Sequence, residues 1–213
     1  IASQSRAWLA RCYVMLGWPY DAEDVIRKLE RDSIGRLGRR QLAMTKAAYH
    51  ILTEQYDKAI RPLEHSIKYQ PHKSQRARLH FLLAQLHQQV GNNAAAYKEW
   101  RRVCRMTPAY ELEFNARIMM TEVAGKGNHK KMISRLRRMA RSDKNKDYQD
   151  RIYHAIGNIY LGQGDTLHCI YAWETGIEKA TQAGAAKAAL LLRLGQLYYE
   201  REQYIEAQKC YAE

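Results

Sequence analysis

The chain has 213 residues, 46% of them hydrophobic and 27% charged, with a formal charge of +13 from 35 Lys and Arg against 22 Asp and Glu. It contains no run of about 18 apolar residues, which excludes a membrane-spanning helix. Only 4 prolines break it and no Val/Thr/Ile-rich alternating run of strand length occurs, so the composition predicts an all-α chain.

The positive surplus permits an acidic protein, nucleic acid or anionic lipid as partner and does not choose between them. Ile1 opens the chain and Tyr211-Ala212-Glu213 closes it inside a helical pattern, which reads as a segment of a longer protein. The last helix pair is then expected to show an exposed apolar end.

In chain order the periodicity predicts helix pairs at 3–16 with 20–31, 37–53 with 57–69, and 74–90 with 93–106. Next come 109–124 with 128–141, 147–162 with 165–180, and 184–200 with 204–213. They form repeats over 3–35, 36–72, 73–108, 109–145, 146–182 and 183–213, read as a single domain.

Two small-residue landmarks fix the period. Ala10, Ala47, Ala84, Met120, Gly157 and Gly195 are spaced by 37, 37, 36, 37 and 38, and so are Ala22, Ala59, Ala96, Met132, Cys169 and Ala207. Small residues let paired helices approach closely. Large side chains follow at fixed offsets: Tyr13, His50, His87, Val123, Tyr160 and Tyr198 after the first landmark, and Ile26, Leu63, Trp100, Leu136, Trp173 and Tyr211 after the second. Gly, Asn and Asp between the helices suit helix ends and caps, and Pro71 and Pro108 close two units. Repeat two is irregular, with Lys46 where a leucine belongs. Repeat four carries methionine at both small positions, so its helices are expected to sit farther apart or cross differently. Its Gly-Lys-Gly-Asn-His turn is expected to be the loosest of the array.

The glycines of YHAIGNIYLGQGD, Tyr153 to Asp165, suggest a phosphate-cradling loop at first sight. Gln163 and Gly164 stand where Lys and Ser/Thr are required, and no strand precedes them. The repeat gives each glycine a structural role instead: Gly157 at the helix crossing, Gly162 at the helix end and Gly164 in the turn, with Asp165 as cap. This order of landmarks resembles the tetratricopeptide repeat, at a period slightly above the usual 34 or so. The implied fold is a right-handed superhelix of stacked helical hairpins.

Candidate chemistry is sparse. The cysteines Cys12, Cys104, Cys169 and Cys210 form no C-x-x-C pair and read as small buried side chains. His80 and His87 share a helix face but lie too far apart to chelate one ion, and no close carboxylate partner or HExxH motif is expected to accompany them. No nucleophile elbow is present. Catalytic, cofactor and metal residues are therefore assigned to none, and the chain reads as a non-enzyme.

Two surfaces are candidates for a partner. Arg78, Phe81, Gln85, Arg117, Thr121, Arg151, His154, Asn158, Leu192 and Gln196 fall on the face of the first helices that lines the concave groove in such arrays. Arginine forks, amides and aromatics suit capture of an extended or helical peptide. The second is the basic run Gly125–Lys146, where Met132, Ile133, Leu136, Met139 and Ala140 make an apolar stripe. Lys130, Lys131, Arg135, Arg137, Arg138 and Arg141 cover the other side, as a solvated convex face or a docking face for an acidic partner. Nucleic acid is the weaker option, because no aromatics interleave the cations.

Certain phrases exceed the generic repeat. AWLARCYVMLGWPYDAEDVI, EFNARIMM and RLRRMARSDKNKDYQDRIYHAIGNIYLGQGD resemble, in that order, the tetratricopeptide lipoproteins of type IX secretion and gliding motility, the PorW/SprE family. The resemblance implies a non-enzymatic periplasmic protein attached to the outer membrane by a lipid anchor upstream of Ile1. It implies protein partners, the ring and motor components and the outer-membrane translocon, and no small-molecule substrate. The alternative is a cytoplasmic peptide-binding adaptor or regulator.

Overall fold

The computed structural model describes residues 2–31, 35–106, 108–123, 129–181 and 184–213. Among them lie twelve α-helices and a short 3-10 helix, and no strand. The helices are α1 (Ala2–Leu16), α2 (Pro19–Arg31), α3 (Arg36–Leu52), α4 (Tyr56–Lys68), α5 (Lys73–Gln89) and α6 (Asn93–Arg105). Then follow α7 (Tyr110–Glu122), α8 (His129–Ala140), α9 (Gln149–Leu161), α10 (Thr166–Glu178), α11 (Ala185–Glu200) and α12 (Tyr204–Ala212). The chain forms two compact units, Ile1–Val123 and Ala124–Glu213. The boundary falls inside repeat four, so α7 belongs to the first unit and α8 to the second. The predicted Gly-Lys-Gly-Asn-His turn lies outside the described residues, apart from His129.

In the first unit α1 packs on α2 and α3, and each later helix packs on the one before it. Ala47, Ala59, Leu63, Ile67, Leu79, Leu83 and Leu86 form one apolar cluster, and Ala84, Ala96, Trp100, Val103, Ala116 and Val123 another. In the second unit α8 packs on α9, α9 on α10, α10 on α11 and α11 on α12. Cys169, Trp173, Leu190, Leu194, Leu197, Tyr198 and Ala207 make a core there. Irregular Lys46 reaches across to the carboxylate of Glu30 on α2 and so stays at the surface of the core.

The period has a physical cause in both units. Ala10, Ala22, Ala59, Ala84 and Ala96 are wholly buried. At Gly157 an added Cβ would lie 2.2 Å from Nε1 of Trp173, and at Gly195 it would lie 2.8 Å from the ring of Tyr211. The landmark is small because the large residue of the second helix lies on top of it, which is more specific than close helix approach alone.

The turns are as regular as the helices. Gly17, Gly91 and Gly164 have φ of +74°, +78° and +78°, and Glu54 and Glu202 take the same place with φ of 57° and 61°. The next amide closes a six-residue loop onto a carbonyl: Trp18 to Tyr13, Gln55 to His50, Asn92 to His87, Asp165 to Tyr160 and Gln203 to Tyr198, at 2.8–3.0 Å. This left-handed ending satisfies carbonyls that the helix terminus leaves open. The side chains of Asn92 and Asp165 then accept from the amides of Ala95 and His168, each at 3.1 Å, and cap the second helix.

One departure from the sequence expectation has a local cause. The helix expected over 147–162 is instead a 3-10 turn, Asp143–Tyr148, followed by α9. Buried Asn145 donates to the carbonyl of Met139 at 2.8 Å and Gln149 to that of Ala140 at 3.1 Å, so side chains of this segment close the end of α8. Pro62 lies inside α4 beyond its first turn, where a proline removes one intrahelical hydrogen bond.

Candidate partner-binding surfaces

On the first unit, Arg78 and Gln85 of α5 are exposed, and Phe81 between them is half-buried. Phe81 meets Trp100 edge-on at 6.3 Å, so its ring belongs mainly to the core. On α7, Arg117 is exposed, but Glu113 holds its Nε at 3.0 Å and Nη2 at 2.6 Å. Half-buried Thr121 donates back to the carbonyl of Ile118 at 2.6 Å. Gln88 of α5 and Glu122 of α7 meet at 3.4 Å, which ties these two first helices together. Among the described residues, Arg78 and Gln85 are the members of the predicted set on this unit whose polar ends meet no partner, while Phe81, Arg117 and Thr121 are engaged within the chain.

On the second unit, Arg151, His154 and Asn158 follow one another along α9 at helical spacing. Arg151 is exposed, and its backbone amide donates to Asp150 Oδ1 at 2.7 Å. His154 and Asn158 are half-buried. Among the described residues, His154 Nε2 and Asn158 Oδ1 are shut off from solvent and meet no hydrogen-bond partner. Burial is the first cause that holds the His154 imidazole below the ordinary histidine range, and the guanidinium of Arg193 on α11 is the second. The carbonyl of His154 takes the indole N–H of Trp173 at 3.2 Å. α11 lies against α9 and offers Leu192, which is 61% exposed, together with exposed Arg193 and Gln196. The amide of Gln196 reaches Glu200 at 3.0 Å. Arg193 escaped the sequence reading, which took its neighbour Leu192 and had no signal for which arginine would face His154.

Within the described part of the basic run, α8 turns its apolar stripe inward. Met132, Ile133, Leu136 and Ala140 are buried, and Met139 is half-buried. Lys130, Lys131, Arg135, Arg138 and Arg141 are exposed. Arg137 turns toward α9, where it donates to the hydroxyl of Tyr160 at 3.4 Å.

The histidine reading needs a correction. His80 has a carboxylate partner that the sequence places 19 residues away: Glu99 of α6 meets Nδ1 at 2.7 Å, and both side chains are buried. Arg102 holds the other oxygen of Glu99 at 2.8 Å. Burial alone would raise this carboxyl, but the bonds from His80 and Arg102 outweigh it and hold it below the usual range. The cysteines also differ from expectation, because Cys12 is exposed. Cys169 is buried, and burial pushes its thiol up to about 12. Among the described residues no group of three or more His, Cys, Asp or Glu is placed to hold a metal ion, and no helix is long and apolar enough to cross a membrane.

At the last hairpin Tyr204, Ile205 and Tyr211 are exposed. Tyr204 and Tyr211, with Tyr199, Ala207, Gln208 and Ala212, border an open apolar hollow of about 470 Å³.

No protein-family profile and no curated protein matches the chain. Solved structures do. Apo RapI aligns at a TM-score of 0.73 and 11% identity over 97% of this chain and 62% of its own. NprR in complex with its cognate peptide NprX aligns at 0.60 and 12%, over 99% of this chain and 65% of its own. The chain therefore spans less than two thirds of the length of either protein. YrrB, a TPR protein with an unusual peptide-binding site, aligns at 0.60 and 14% over 86% of this chain and 89% of its own. At these identities the likeness establishes the fold, an all-α array of tetratricopeptide-type hairpins.

Proposed function

We propose that this chain is a non-catalytic interaction scaffold that takes an extended or helical segment of another protein on the first-helix faces of its hairpins. The observation that carries the reading is on α9 of the second unit. His154 Nε2 and Asn158 Oδ1, a helical turn apart, are shut off from solvent and meet no hydrogen-bond partner among the described residues. A buried polar atom left unpaired costs about 1–3 kcal/mol. An incoming backbone amide or polar side chain would relieve that cost with small rotations of two half-buried side chains. Arg151 and Gln196 flank the pair, and Arg78 and Gln85 offer comparable groups on the first unit. A preformed surface loses little ordering entropy on binding.

The setting we propose is the type IX secretion machinery, where the chain would link periplasmic ring and motor components to the outer-membrane translocon. The support is the resemblance of AWLARCYVMLGWPYDAEDVI, FNARI and DKNKDYQDRIYHAIGNI to the PorW/SprE lipoproteins. The location that follows is periplasmic, with a lipid anchor upstream of Ile1. A second reading, a cytoplasmic peptide-binding adaptor, is favoured by the fold shared with NprR, solved with its cognate peptide, and with YrrB and its peptide-binding site.

Affinity capture from envelope extracts tests the proposal, using the parent chain and an Arg78→Glu, Arg151→Glu, Asn158→Ala variant. Ring or translocon subunits retained by the parent and lost by the variant support both the setting and the face. The same subunits retained by both proteins move the binding site elsewhere. Capture of cytoplasmic peptides alone favours the adaptor.

A further inference from the structure

The second helix of a hairpin needs only an apolar stripe to fold into the array, and α8 has one in Met132, Ile133, Leu136 and Ala140. Its polar side goes beyond that need. Within its bounds it carries five Lys or Arg residues and no acid, whereas α10 of the same unit carries Glu174 and Glu178 and neither Lys nor Arg. The charge is therefore not a requirement of the repeat.

Its placement also works against the helix. Lys130 and Lys131 sit in the first turn, where the positive end of the macrodipole favours acids. Lys131 and Arg135, and Arg137 and Arg141, are like charges four residues apart, a repulsive spacing. Elsewhere the chain neutralises such cations: Arg27 with Glu23, Lys28 with Asp24 and Arg117 with Glu113, each at 2.6 Å. On α8 that has not happened. Among the described residues, Lys130, Lys131, Arg135, Arg138 and Arg141 meet no carboxylate. The acids next in sequence lie beyond the helix, and Asp147 accepts from Thr181 at 3.2 Å.

We propose that this side of α8 is a docking face for an acidic polypeptide segment of a partner protein, with Lys131, Arg135 and Arg138 at its centre and Lys130 and Arg141 at its ends. The stripe from Lys131 to Arg141 runs about 15 Å along the helix. Arginine forks bind carboxylates bidentately, and three of the five cations are arginines. Other anionic partners fit less well. Every exposed residue of α8 is Lys, Arg or Ser, so no apolar or aromatic side chain is there to enter a lipid layer or stack on bases. This surface is separate from the first-helix faces, and the two proposals stand or fall apart.

The test is fluorescence anisotropy on the whole chain with a labelled oligoglutamate of roughly twelve residues as probe, compared with anionic phosphatidylglycerol vesicles and a DNA duplex. The variant Lys131→Glu, Arg135→Glu, Arg138→Glu is compared with a control of equal charge, Lys58→Glu, Arg61→Glu, Arg101→Glu, all at exposed positions. Lys131→Glu in the first turn of α8 suits the dipole and Arg138→Glu in the last turn opposes it, so the variant is expected to melt close to the parent. The expected result is a loss of probe affinity of about tenfold or more in the α8 variant and less than about threefold in the control. Equal losses in both variants, or no loss in either, overturn the proposal. So does binding of vesicles or duplex tighter than binding of the acidic probe.

Discussion

Gly157 lies directly beneath the indole of Trp173, so close that a methyl group there would stand 2.2 Å from Nε1. Repeat three holds the counterpart pair, Ala84 and Trp100. The consequence appears in the hydrogen bonds. Over the glycine, Trp173 settles onto the carbonyl of His154 at 3.2 Å, whereas over the alanine the Nε1 of Trp100 is buried without a partner.

Gly157→Ala is therefore expected to displace the indole and break its bond to His154. Overpacking and an unpaired N–H together predict a loss of about 2–4 kcal/mol, read from urea unfolding monitored by tryptophan fluorescence. A loss below about 0.5 kcal/mol would show that the ring has room to shift.

Glu54 and Glu202 hold a left-handed conformation that three sister turns give to glycine. A residue with a Cβ is strained there by about 1–2 kcal/mol, partly offset by the greater unfolded-state freedom of glycine. Glu54→Gly and Glu202→Gly should each stabilise the chain by roughly 0.5–1 kcal/mol, and Gly91→Ala or Gly164→Ala should destabilise it by a similar amount. Thermal melts of the four variants check the sign, and a fall in melting temperature for both glutamate replacements would count against it.

Removing one partner from a buried hydrogen bond leaves the other unsatisfied. Glu99→Ala strands Nδ1 of buried His80, with an expected cost of about 1–3 kcal/mol. Arg102 is 46% exposed on its side chain, so Arg102→Ala should cost less than about 1 kcal/mol. Chemical denaturation of both variants separates the two, and equal costs would contradict this account.

His50 and His154 both have folded-state pKa values below the ordinary histidine value of about 6.5, burial being the first cause for each. A group depressed in the folded state binds its proton more readily when unfolded. Their contribution to stability is thus fully present above pH ~6.5 and is lost as the pH falls through the folded values. Unfolding free energy should decline as the solution is acidified below neutrality, and the slope should flatten in a His50→Gln, His154→Gln variant. An unchanged slope would assign the acid sensitivity to other groups.

Asn158→Ala removes an oxygen that has no partner, so its effect on stability should stay within about 0.5 kcal/mol while capture of a partner weakens. A large drop in melting temperature would instead make Asn158 a structural residue.

What the sequence determined by itself is the repeat. Period, hairpin limits and small landmarks are local requirements: a helix needs an apolar stripe, a turn needs a residue that reaches positive φ, and a ring above a backbone needs glycine or alanine below it. Even the cationic side of α8 follows from spacing alone, since its apolar stripe must face inward.

The tertiary structure decided what depends on partners distant in the chain. His80 and Glu99 lie 19 residues apart, on different helices, so no spacing rule pairs them. Arg117 matched the groove pattern, yet Glu113 holds it, and Phe81 turned out to pack on Trp100. A side chain's availability depends on which neighbours reach it first. That competition is settled by packing across helices, whereas the helices themselves are settled by contacts a few residues apart.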